Sequence, residues 1–143
     1  MIKFYSRRPI SLSLQKISLQ QTYTKLIDNI EISRNCLLCR IRLKPSECSR
    51  VYHILIKYKL EKNPEAWIIK PEIENFHGKR PPHIYDNKKG FAKICVFCPQ
   101  YKEWDGTKML LSKAFVPWII TWLNTYEYWI LTGEWYYDEV HLQ

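Results

Sequence analysis

The sequence predicts an α+β domain in which helices are set against an antiparallel sheet. Apolar residues recur at helical spacing near the start of the chain and again after Val116, and between these stretches they alternate with period two in runs broken by short turns. With 143 residues, 46% hydrophobic and 15% aromatic, one domain over 1–143 is expected. A chain of about 150 residues can bury close to 70% of its unfolded surface, enough for a core without staples.

The elements follow in order. Ser11 to Asp28 spaces Leu14, Ile17, Leu19, Tyr23, Leu26 and Ile27 at loosely helical intervals, which predicts one amphipathic helix. From Cys36 the pattern shortens, with Cys39 to Leu43 reading as a strand and Lys44 to Glu47 as a turn. Val51 to Leu60 places Tyr52, Ile54, Ile56, Tyr58 and Leu60 on one face. Glu61 to Pro64 closes that run before Ala66 to Ile73, so the three runs make an antiparallel meander. Glu74 to Lys93 reads as a long irregular loop, of the kind that usually carries function, and ends in a short buried segment, Ile94 to Phe97. The last element is a helix with Pro117 in its first turn, Trp118, Ile119, Trp122, Leu123, Tyr126, Trp129 and Ile130 at its spacing, and Gly133 as its cap.

Charge divides the chain unevenly. Of the net +8, residues 1–60 hold 12 Lys/Arg against 3 Asp/Glu, and residues 61–143 hold 10 against 11. A basic end of this kind suits an acidic partner. Nucleic acid is one candidate, with Tyr52, Tyr58 and Trp67 interleaved, but these aromatics follow core periodicity and are expected inside. The most apolar stretch, Ala114 to Leu123, is too short to span a bilayer, and Met1 to Arg8 holds no secretory h-region. A cytoplasmic, reducing setting is expected, in which five cysteines do not form a disulfide framework.

Two C-x-x-C pairs, Cys36/Cys39 and Cys95/Cys98, nominally match a four-thiolate zinc site. Both lie in strand-like surroundings, where positions i and i+3 face opposite sides, so no metal is expected. Cys36, Cys39, Cys48 and Cys98 read as small buried hydrophobes. Cys95 differs. Lys88, Lys89 and Lys93 surround its approach and Gly90 loosens the loop, and nearby positive charge lowers a thiol pKa from its ordinary value of about 8.5. That is the setting of a nucleophile.

The order Pro81-Pro-His83, Asn87, Gly90, Ile94-Cys95-Val96 and Trp104 resembles that of the ubiquitin-conjugating enzymes. From Ile94 onward, through Trp104, Val116-Pro-Trp118, Trp122-Leu123, Tyr126-Glu127, Trp129 and Leu131 to Trp135, the chain is more similar to stand-alone bacterial proteins of that type, encoded with cyclic-oligonucleotide antiphage signalling systems (CBASS). The resemblance implies a ubiquitin-conjugating (UBC) fold. It also implies that Cys95 takes up an acyl group as a thioester, from the C-terminus of a cGAS-like nucleotidyltransferase, and passes it to an amine acceptor. His83 and Asn87 would order the active-site loop or stabilise the oxyanion, Asp105 would orient the amine, and Trp104 and Lys93 would meet the partner. No cofactor is implied. The four glycines stand singly at 78, 90, 106 and 133, so there is no phosphate-binding loop and activation of the acyl group must come from elsewhere. The competing readings are a non-catalytic binding module of the same fold and a basic nucleic-acid-binding or zinc-ribbon domain.

Overall fold

A computed structural model describes residues 8–88, 91–96 and 103–135; of residues 86–88 it describes the backbone alone. Helix α1 (Leu12–Thr22) starts at Ser11, whose hydroxyl accepts the Leu14 N–H at 3.1 Å. It is shorter than its pattern predicts. From Ile27 the chain runs as strand β1 (Ile27–Ser33), the edge of the sheet, where β-branched Ile27, Ile30 and Ile32 fit a pleated ribbon. A register shift between Ile27 and Asn29 breaks the period-two alternation and hides this strand from its sequence. Arg34 (φ 53°) and Asn35 (φ 61°) form a tight hairpin turn with both residues left-handed.

Strands β2 (Cys36–Leu43), β3 (Tyr52–Lys59) and β4 (Glu65–Lys70) follow as expected. The long irregular stretch is corrected in part. Past residue 83 it forms strands β5 (Ile84–Lys88) and β6 (Phe91–Ile94), a hairpin with its own register shift between Ile84 and Asp86. The sheet has six strands in the order β1-β2-β3-β4-β6-β5, every neighbour antiparallel. Its core face carries Leu37, Cys39 and Ile41 of β2, Tyr52, Ile54, Ile56 and Tyr58 of β3, Ala66 and Ile68 of β4, and Ala92 and Ile94 of β6.

The C-terminal helix α2 (Val116–Thr132) is entered through a π-helical turn (Leu111–Phe115), which the sequence reading did not foresee. There the Val116 N–H reaches back to the Leu111 carbonyl, five residues away. The next such bond would need an N–H on Pro117, which has none. The Tyr23 hydroxyl takes its place, donating to the Ser112 carbonyl at 2.6 Å. Fully buried Gln15 of α1 donates to the Met109 carbonyl at 2.9 Å and accepts the Leu111 N–H at 2.8 Å. Gly133 ends α2 at φ 81°, with the Phe76 ring 2.6 Å from where a Cβ would stand, so both its conformation and its space require glycine.

Leu12 and Leu19 of α1 and Ile119, Trp122, Leu123, Tyr126 and Trp129 of α2 join the sheet residues in one core cluster. Trp122 stacks on Tyr126 at 5.4 Å and 18°, so the aromatic stripe of α2 is core. Among the described residues no helix lies over the opposite face, and none is long and apolar enough to cross a membrane.

Candidate active site around Cys95

Cys95 follows β6 directly. The alternation of that strand continues through it, since Ile94 and Val96 are each 2% exposed and Cys95 between them is half-buried. It therefore lies on the helix-free side of the sheet with Lys93. Its backbone N–H donates to the His83 carbonyl at 2.8 Å, carrying the β5–β6 register one step past the hairpin. The same carbonyl accepts the indole N–H of Trp122 at 3.3 Å. Two donors, one of them from a buried residue of α2, thus converge on the His83 carbonyl, against which the Cys95 amide is held. His83 turns the chain with φ 60°, and its ring lies 5.6 Å from that of Trp135. Trp122, which the sequence pattern assigns only to the core, also bonds to the backbone paired with Cys95.

The remaining predicted residues separate. Asn87 pairs with Ala92 along β5, and its side chain lies outside the described residues, as do Lys89, Gly90, Cys98 and the Lys88 side chain. The Lys93 ammonium stands 3.3 Å from the Glu65 carboxylate and 5.2 Å from the centre of the Tyr85 ring. Its effect on a neighbouring thiol is therefore offset by a carboxylate that the sequence argument did not count. Trp104 packs edge-on against Tyr58 at 5.5 Å and against Phe115 and Trp118, on the helix-covered side of the sheet. Trp104 is half-buried, so part of its surface is committed to this packing. Asp105 accepts the Thr107 N–H at 2.9 Å and the Thr107 hydroxyl at 2.6 Å through one carboxylate oxygen, which is the geometry of a turn-forming aspartate.

With this geometry in view, a family model described as "Type II CBASS E2 protein" matches residues 15–142. The chain belongs to the E2-CBASS family. No curated protein matches it. As an E2-like CBASS protein, it carries Cys95 at the end of the sheet hairpin, well inside the matched span.

The other cysteines of this E2-CBASS chain show how strongly position sets thiol chemistry. Cys39 faces the core, fully buried, and burial pushes its thiol up to about 12. Cys36, three residues earlier on β2, faces the opposite side and is half-buried. The two cannot chelate one ion without leaving the ladder, and no cluster of metal-binding side chains occurs among the described residues. Cys48 is exposed in the β2–β3 turn. Of the described cysteines read as buried hydrophobes, Cys39 alone is buried; Cys36 and Cys48 are corrected, one by strand alternation and one by its turn. Trp67 is also corrected. Ala66 and Ile68 take the core face of β4, so Trp67 stands on the helix-free side, its ring centre 6.0 Å from the Lys93 ammonium.

Proposed function

We propose that this protein is a ubiquitin-conjugating-enzyme-like acyl carrier of UBC-like fold, with Cys95 as the nucleophile. The observation that carries the reading is Cys95 itself: a half-buried cysteine whose backbone is pinned through His83, in a chain whose family is E2-like. The Cys95 thiolate attacks an activated acyl carbonyl at the C-terminus of a partner, for which a cGAS-like nucleotidyltransferase is the first candidate. A thioester to Cys95 forms as the bond to the activating group breaks, and that group leaves with the electron pair. An amine then attacks the thioester, the C–S bond breaks as an amide forms, the Cys95 thiolate is released, and the proton lost by the amine passes to solvent. A thiolate serves well both as nucleophile and as leaving group, so one difficult transfer becomes two easier ones. Activation of the carboxylate falls to another component.

The test mixes the protein with that nucleotidyltransferase and an ATP-dependent activating fraction, followed on non-reducing gels. The expected product is an adduct of summed mass, cleaved by thiol and absent with Cys95→Ala. With Cys95→Ser, a thiol-resistant ester should replace it. If no adduct forms and Cys95→Ala binds the partner as well as the parent chain does, the protein is a binding module instead.

A further inference from the structure

Beside Cys95, the helix-free face of the sheet holds a basic groove that neither the family nor the sequence pattern assigns. One hollow of about 280 Å³ is lined by Cys36, Lys57, Lys59 and Lys62, and a second of about 270 Å³ by Glu65, Tyr85, Lys93 and Ile94. Lys62, Asn63 and Glu65 line both, so the two are continuous across the β3–β4 turn. The groove ends at Ile94, the residue before Cys95. Its charge is one-sided. Glu65 is its single carboxylate and is paired with Lys93, while Lys57, Lys59 and Lys62 are exposed and make no ion pair among the described residues.

Register gives the groove a direction. Lys57 pairs with Glu65 across β3 and β4, and Ala66 pairs with Ile94 across β4 and β6, so one further step sets Cys95 beside Glu65. The path from Lys57 to Cys95 thus crosses two interstrand spacings, about 10 Å, which an extended chain covers in about three residues. We infer that the groove seats the acyl donor's tail, an extended acidic peptide whose carboxylates, roughly three to five residues before the C-terminus, meet Lys57, Lys59 and Lys62 while its terminal carbonyl reaches Cys95. This rests on the proposed role of Cys95 as nucleophile. A nucleic-acid strand fits less well, because of the two aromatic residues lining the groove Tyr58 is buried in the core and Tyr85 already faces the Lys93 ammonium.

Synthetic octapeptides ending in Gly, as N-acetylcysteamine thioesters, test this without an activating enzyme. Cys95 attacks the thioester carbonyl, a new C–S bond forms, and N-acetylcysteamine leaves as the thiolate and takes a proton from buffer. Acylation is followed by mass spectrometry and located by peptide mapping. A peptide with Glu at the third and fifth positions from its C-terminus should acylate Cys95 about tenfold faster than its Gln counterpart at low salt. The advantage should shrink towards unity at high salt and vanish in the Lys57→Glu/Lys59→Glu/Lys62→Glu variant, whose reaction with N-acetylglycine thioester should match that of the parent chain. Equal rates for the Glu and Gln peptides overturn the inference and leave the proposed function standing. If no thioester acylates Cys95 although iodoacetamide alkylates it, the proposed function itself fails. If oligo(dT) binds with a steep salt dependence that the triple variant abolishes, and the two peptides react alike, the groove belongs to nucleic acid and the inference falls.

Discussion

On the helix-covered face of the sheet, Ile54, Ile56 and Tyr58 of β3 are at most 1% exposed, while Lys57 and Lys59 of the same strand stand open to solvent on the other face. The two sets differ by one residue of register and by everything that water does. On the first face each side chain is held by close packing, and a titratable group there has its charged form suppressed. On the second, cationic groups keep their hydration and remain available to meet a partner. Cys39 and Cys95 repeat the contrast: one thiol is locked neutral in the core, the other lies half-open beside the basic groove.

The strongest way to break this comparison is alkali. Burial raises the pKa of Cys39, and it is the leading cause of the raised values of Tyr52, Tyr58 and Tyr126, all on the buried side. A raised folded-state pKa means that the unfolded chain releases its proton first, so stability is intact below the unfolded value and falls as pH rises towards the folded one. Cys39, displaced from 9.0 to about 12, should alone lower unfolding free energy by about 1.4 kcal/mol per pH unit above pH 9. Urea midpoints from pH 8 to 11 read this out, and a flat profile would mean that the face is wetter than described. Next in size, Ile56→Ala should cost about 2–5 kcal/mol through the cavity it leaves, seen as a lowered denaturant midpoint with an unchanged slope.

Tyr52→Phe comes third. The Tyr52 hydroxyl donates to Glu127 at 2.8 Å, and the Ser49 hydroxyl donates to the other carboxylate oxygen at 2.7 Å. Removing one donor from this half-buried carboxylate should cost about 1–3 kcal/mol by the same measurement. Trp122→Phe sharpens the link between the two faces. It deletes the indole bond to the His83 carbonyl, and about 1–2 kcal/mol of destabilisation is expected. It should also change the rate at which iodoacetamide alkylates Cys95, whereas an effect on stability alone would make Trp122 mere packing. The smallest effect belongs to the open face: Lys59→Gln should move stability by no more than about 0.5 kcal/mol.

The middle of the sheet and the last helix were legible in the sequence because their burial is periodic. Tyr52, Ile54, Ile56 and Tyr58 alternate, and Pro117 and Gly133 mark the ends of α2. The edge strands were not. β1 and β5 each have a partner on one side only, so their sequences stay polar, and a register shift in each spoils the period that would reveal it. Cys95 stood out through its neighbours in the chain, yet the residue beside Lys93, Glu65, lies 28 positions away and is brought there by pairing between β4 and β6. No local pattern carries that information. The same is true of Trp67, whose face is decided by the phase of its strand, and of Trp122, whose indole N–H finds its acceptor only once the sheet and α2 have docked.

The bonds by which α1 holds the start of the last helix have a kinetic consequence. Tyr23 and Gln15 reach Ser112, Met109 and Leu111 across 89, 94 and 96 residues of chain. Closing loops of that size carries an entropic penalty that neighbouring hairpins do not bear, so this clasp is expected to shut late, after the strands have paired. Substitutions in it should then speed unfolding and leave the folding rate almost untouched. Tyr23, standing in for the amide that Pro117 lacks, would in that case govern how long the folded molecule lasts rather than how quickly it forms.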